Sequence, residues 1–311
     1  MTRWLVTGAH GMLGRELMHI LDADPSARAT GATRAALDIT DPGALRAAVP
    51  GHDIVVNTAA WTDVDAAEAH EAAAAAVNGR AVEDLAQVCA ESRVPLLHIS
   101  TDYVFGGDST FPYPEYATPR PVNAYGRSKI LGERAVTALL PAAGYVVRTT
   151  WLYGEHGQNF VKSILHQALR GKQLNVVDDQ QGQPTWSRAL ARQLVKLGHG
   201  ALAGRAPAGI YHGSSSGQTT WYGLARAVLE HLGLDPDLVR PCSTENLGRP
   251  APRPSYGVLS HDRWALAGIE PMAPWQRMLR AALPGGPETP FEPPTPDSAP
   301  GHIDPRRKVP R

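Results

Sequence analysis

A doubly wound, parallel α/β sheet of the Rossmann type, joined to a smaller α/β substrate-binding part, is predicted by three features of the 311-residue sequence. Short apolar runs recur at residues 4–6, 54–56, 96–99 and 145–147. Alanine-rich segments long enough for helices separate them, and a glycine-rich turn follows the first run. Strands and helices alternating on this spacing build a parallel sheet covered on both faces, so its strands read as unbroken apolar runs.

The first run leads into Thr7-Gly8-Ala9-His10-Gly11-Met12-Leu13-Gly14, which opens a predicted helix over 15–21. Its glycines allow a tight turn and close approach to a pyrophosphate, whose charge is met by free N–H groups at the helix start. His10 lies within that turn as a spacer. The second strand ends in Ala29-Thr30-Gly31-Ala32-Thr33-Arg34, without the carboxylate that holds the ribose of NAD. Arg34 either faces the 2′-phosphate of NADPH or is a solvated surface arginine; the reading favours NADPH and leaves NADH open.

Residues 66–90 are rich in Ala and Glu with few breakers and read as one helix, and 127–140 reads similarly. Beyond about residue 150, Pro184, Pro207, Pro236 and Pro241 punctuate a looser pattern. The expected organisation is a dinucleotide-binding Rossmann domain over 1–150 and a mainly substrate-binding part over 151–283 with some return to the first. Nine of the 28 residues in 284–311 are proline, which predicts a disordered tail.

The 30 basic and 30 acidic side chains balance, so no bulk field attracts nucleic acid or an anionic membrane. Cys89 and Cys242 stand alone, which argues against a disulfide framework or a structural zinc, and the histidines show no metal-ligand spacing. With no signal-like start and no apolar run near the roughly 20 residues of a bilayer span, a cytoplasmic protein is expected.

Chemistry concentrates in Tyr125-Gly126-Arg127-Ser128-Lys129 and in Ser100-Thr101-Asp102-Tyr103 at the end of an apolar strand. Residues four apart share a helix face, so Lys129 is expected beside Tyr125, its ammonium favouring a tyrosinate. A free tyrosine titrates near pH ~10, and bringing it to neutrality takes roughly 4 kcal/mol of differential stabilisation. Thr101, at a carboxyl strand end, is placed to hydrogen-bond a reacting oxygen.

Taken with Asn57-Thr58-Ala59-Ala60-Trp61-Thr62-Asp63-Val64-Asp65, Arg148-Thr149-Thr150-Trp151-Leu152-Tyr153-Gly154 and Gln180-Gln181-Gly182-Gln183-Pro184-Thr185, these motifs make residues 2–283 resemble the dTDP-4-dehydrorhamnose reductase family. The resemblance implies Thr101, Tyr125 and Lys129 as a catalytic triad. It implies cofactor contacts at Gly8, His10, Gly11, Met12, Leu13, Arg34, Asp38, Ile39, Ala59, Ala60, Asn78, Tyr125 and Lys129, with Asn78 also supporting the active-site hydrogen bonds. Thr62, Tyr103 and Trp151 would line the sugar pocket, Trp151 having a core role as its alternative. Asn159-Phe160 and Arg253 would lie toward the substrate diphosphate, although Gly257 stands where the family often has serine.

The implied activity is NAD(P)H-dependent reduction of a dTDP-4-keto-6-deoxy-L-hexose. A dihydrostreptose synthase-type reduction in antibiotic biosynthesis is the nearest alternative. A non-catalytic regulatory subunit of the methionine adenosyltransferase type is another, and the intact triad argues against it. Asp102 is followed by Tyr103, so the Asp-Glu pair of the related dehydratases is incomplete. Some relatives dimerise through magnesium held by glutamates. Here Glu16 matches one position, but Arg188 and Ala281-Ala282 replace the others, so magnesium is doubtful and a monomer or weak homodimer is expected.

Overall fold

In the computed structural model, residues 1–286 are described. Six parallel strands form the central sheet in the order β10-β5-β4-β3-β1-β2. They are β1 (Thr2–Thr7), β2 (Ala27–Ala32), β3 (Ile54–Asn57), β4 (Leu96–Thr101), β5 (Gly144–Thr149) and β10 (Gly209–His212). The short strands β6 (Leu152–Tyr153), β7 (Leu174–Val177), β8 (Gln181–Gly182), β9 (Thr185–Trp186), β11 (Thr219–Thr220) and β12 (Val239–Cys242) pair among themselves outside this sheet. All four apolar runs are therefore sheet strands, and β10 is the return of the later chain to the first part.

Strand alternation divides the core. Trp4, Val6, Ile54, Val56, Leu97 and Val147 face one layer, while Leu5, Val55, Leu96 and Val146 face the other. On the first face lie α1 (Met12–Asp22) and α8 (Ser187–Leu202), and on the second lies α5 (Ala81–Ser92). The first layer runs without interruption into α7 (Phe160–Ala168), α9 (Trp221–His231) and α11 (Trp275–Ala282), so the later chain shares its core with the sheet. Remaining helices are α2 (Pro42–Ala48), α3 (Val64–Ala69), α4 (Glu71–Ala75), α6 (Ala124–Leu139) and α10 (Arg263–Leu266).

The single helix expected over 66–90 is broken. It parts at His70 (φ −133°, ψ 41°) into α3 and α4, then winds as a π-helix over Ala76–Arg80 before α5 begins. The cause is tertiary. A Cβ at Gly132 of α6 would stand 2.4 Å from Asn78 O, and one at Gly79 would stand 2.9 Å from Leu131 Cβ, so the two segments touch backbone to side chain. The π turn presents Asn78 to this contact, and such bulges recur at functional sites.

Helix α6 starts three residues earlier than expected because Asn123 caps it, its side chain accepting from Gly126 N at 2.8 Å. Of the expected tail, residues 287–311 lie outside the described residues. Among the described residues, no helix is long and apolar enough to cross a membrane.

Candidate active site

Strand β1 is flanked by β2 on one side and β3 on the other, which makes its carboxyl end the point where strand order reverses. Ligands of open α/β sheets bind at that point. A cleft of about 800 Å³ opens there, lined by the glycine turn, the ends of β2 to β5 and the start of α6.

Gly8 adopts φ +68°, and a Cβ there would lie 2.6 Å from Ala59 N; a Cβ at Gly14 would lie 2.4 Å from Gly8 O. Only glycine fits either place. Gly11 caps α1 without a side-chain hydrogen bond, and no acidic residue occupies the first turn, so the helix start offers free N–H groups to an anion. His10, Met12, Leu13, Ile39, Ala59 and Ala60 share this wall. These features fit a dinucleotide.

At the adenosine end Arg34 is not a lone cation. Its Nε stands 3.4 Å from Asp38 Oδ2, and its side chain is 88% exposed. Asp38 Oδ1 accepts from Thr40 N and Thr40 Oγ1, which with Arg34 holds its carboxyl below the ordinary range.

At the other end Thr101, Tyr125 and Lys129 meet on the cleft wall. Tyr103 N donates to Thr101 Oγ1 at 3.2 Å, and Thr101 Oγ1 donates to Asp102 Oδ1 at 3.1 Å. Tyr103 packs edge-on to Tyr125, centroids 5.7 Å apart. Asn78 lies behind the wall, fully buried. It accepts from Trp61 N at 2.9 Å and donates to Trp61 O and to Ser128 Oγ, which in turn donates to Tyr125 O. Asn78 therefore ties the Ala59–Thr62 loop to the helix bearing the tyrosine and holds the wall from behind.

Burial, and next the charge of Asp102, push the Tyr125 phenol above its ordinary value, against the Thr101 hydrogen bond. Lys129 shares the helix face, but its Nζ donates to Ile99 O at 2.7 Å and stands 3.4 Å from His98 Nε2. Its amine is brought down to about 8 by burial, with Glu133 opposing.

Sequence reasoning gave no role in this site to two residues of the wall, Asp102 and Thr150. Asp102, 3% exposed, is pushed up to about 7 by burial although Thr150 Oγ1 donates to its Oδ2 at 2.8 Å. Thr150 follows the end of β5, and a strand-end rule applied to that strand finds it. A Cβ at Gly257 would stand 2.6 Å from Asp102 Oδ2, so the departure at that position leaves the carboxyl its room.

Thr62, Tyr103 and Trp151 line the sugar end. Trp151 is held at φ +45°, a left-handed conformation rare for a bulky residue. Its ring stacks on Trp221 at 3.6 Å and covers Gly182, where a Cβ would meet it at 2.4 Å. It is thus both packed and facing the cleft.

Asn159 and Arg253 are each engaged by groups of the protein itself. Asn159 caps α7, accepting from Lys162 N and donating to Gly154 O. Arg253 grips Asp65 at 2.6 and 2.9 Å, a carboxyl held down to about 2 that Arg249 also meets at 3.2 Å.

Glu16 is also engaged. It is buried, and Arg188 Nε donates to its Oε2 at 2.8 Å, so a guanidinium supplies the positive charge beside this carboxylate. Glu155 and His156 lie close by.

Residues 2–285 match the family described as RmlD substrate binding domain. A dTDP-4-dehydrorhamnose reductase of Streptomyces griseus is 50% identical over 91% of this chain and 93% of its own length. A dTDP-4-keto-6-deoxy-D-glucose reductase of Streptomyces niveus is 47% identical over 91% and 96%. Among solved structures, a dTDP-4-dehydrorhamnose reductase of Bacillus anthracis in complex with NADP superposes with a TM-score of 0.84 at 34% identity, covering 90% of this chain and 98% of that one. The glycine cradle, the shared wall of Thr101, Tyr125 and Lys129, and these matches agree, and the chain belongs to the RmlD substrate binding domain family.

Proposed function

We propose that this protein is an NADPH-dependent reductase of a dTDP-linked 4-keto-6-deoxyhexose, and that the L-hexose is its substrate. The observation that carries the reading is the placement of Thr101, Tyr125 and Lys129 on the wall of the cleft into which the glycine turn and the free end of α1 open. The named relatives supply the substrate class.

When bound, NADPH supplies a hydride to the ketone carbon. Gly8, Gly11 and the first turn of α1 would hold its pyrophosphate, Arg34 its 2′-phosphate, and Lys129 the ribose nearest the reaction. Tyr125 gives its phenolic proton to the ketone oxygen as negative charge develops there. Burial and Asp102 keep that phenol protonated, and hence loaded as the donor. Thr101 steadies the same oxygen. Its single proton goes to Asp102 Oδ1 when that carboxyl is ionised and is free for the ketone when it is neutral. Trp151 and Tyr103 bound the sugar ring, and the dTDP group contributes remote binding energy that a free deoxysugar lacks.

The test is Tyr125→Phe. It should leave NADPH affinity nearly unchanged and lower kcat by about 10²–10⁴-fold, the usual contribution of a general acid. A variant keeping more than about a tenth of kcat would contradict the assignment.

A further inference from the structure

A buried chain of polar side chains runs behind the cleft from β1 to α6 and ends on Lys129. Thr7 Oγ1 donates to Asn57 Oδ1 at 2.6 Å, and Ala59 N donates to the same oxygen at 3.2 Å. Asn57 Nδ2 faces His98 Nδ1 at 3.0 Å, and His98 Nε2 faces Lys129 Nζ at 3.4 Å. Thr7, Asn57 and His98 are fully buried, and Lys129 is 2% exposed.

The protons along this chain follow from one backbone group. The N–H of Ala59 can only donate, so the atom of Asn57 that meets it is the carbonyl oxygen, and the amide nitrogen is the atom facing His98. Asn57 Nδ2 then donates, His98 Nδ1 accepts, and a neutral imidazole with Nδ1 bare carries its proton on Nε2. His98 stays neutral, because burial holds it well below the ordinary histidine range. Its Nε2–H therefore points at Lys129. An ammonium has no lone pair to receive it, whereas a neutral amine has one.

We infer that His98 is a positioning residue for Lys129: its tautomer, fixed by Asn57, presents an N–H that favours the neutral amine of the lysine over the ammonium. The inference rests on Lys129 being part of the working site. Helix α6 keeps the contact tight, since a Cβ at Gly132 would stand 3.2 Å from His98 Nε2. Other charges near the lysine are accounted for. Glu133, on the same helix, favours the ammonium, and its carboxylate is gripped by Arg148 of β5 and by Ser100 of β4. Tyr125 also shares the helix, and Asp102, just after β4, acts on that tyrosine. Burial brings the lysine down to about 8 against the pull of Glu133, and the His98 N–H acts in the same direction as burial.

Burial and the His98 N–H make opposite forecasts for removing the imidazole. The full chain carrying ¹³C-labelled lysine ε-carbons is titrated by NMR, with Lys129 assigned by its absence in Lys129→Arg. In His98→Phe, which keeps the site dry, the Lys129 midpoint should rise by about one pH unit or more, a tenfold change in proton affinity. Asn57→Ala, which keeps His98 and frees its tautomer, should raise it in the same direction, and it decides the matter if His98→Phe does not fold. The basic limb of the kcat/KM profile should move with the midpoint. Midpoints unchanged or lowered in the folded variants would overturn the inference. Because the titration reads the lysine directly, that failure is distinct from failure to reduce a keto sugar.

Discussion

Asp102 shows how one residue of the site diverges from what its neighbours in sequence suggest. Its carboxyl, raised to about 7 in the fold, would titrate near ~4 in the unfolded chain. A group raised in this way contributes full stability below the unfolded value and loses it as pH climbs through the folded one, at about 1.4 kcal/mol per pH unit in between. Asp102→Asn stays neutral throughout. Its stability relative to wild type, measured by urea unfolding, should therefore improve by about 3 kcal/mol between pH 5 and pH 8. A difference that is the same at both pH values would show that the carboxyl is not held protonated. Tyr125, Lys129 and Thr101 were legible in the sequence because helix spacing and a strand end are local patterns. The pairing of Arg253 with Asp65 was not, since 188 residues separate them. Nor was the direction of the Tyr125 shift, which depends on burial and on a carboxylate from another element.

At the scale of elements, the strands and the glycine turn could be read from the chain because each is written in a local period or a steric demand. The break in the long alanine-rich segment could not. Its residues favour an uninterrupted α-helix, and the π turn over Ala76–Arg80 answers to α6 lying against it. Gly132 is the point of closest approach, so Gly132→Ala forces α6 away from Asn78 O and from His98. A loss of about 1–3 kcal/mol is expected, in the range of core overpacking, and thermal melting would reveal it. An unchanged Tm would mean that the two segments are not pressed together. The two-residue strands β6, β8, β9 and β11 left no readable signal, since a pattern of period two needs several residues to declare itself.

On the scale of the molecule, the site exists because elements far apart in sequence are locked in one register. Glu133 of α6 accepts two hydrogen bonds from Arg148 of β5, at 2.7 and 2.9 Å, and one from Ser100 of β4 at 2.5 Å, all buried. This knot sits one turn beyond Lys129 and fixes the helix that carries Tyr125 against the strand that carries Thr101. Strand β10 and helix α8 close the sheet from the later chain, which in turn presents Trp221 to Trp151 and so shapes the sugar end. The later chain returns to the sheet at 209–212, a place the sequence did not mark because that run lacks the apolar density of the earlier strands. The account of the whole is tested most directly by incubating the purified protein with dTDP-4-keto-L-rhamnose and NADPH, following absorbance and identifying the sugar by NMR. NADPH should be oxidised in step with reduction of the C4 ketone, leaving the six-membered sugar ring intact, and the free deoxysugar should not react. Absence of NADPH oxidation with this or any other dTDP-linked keto sugar would contradict the account.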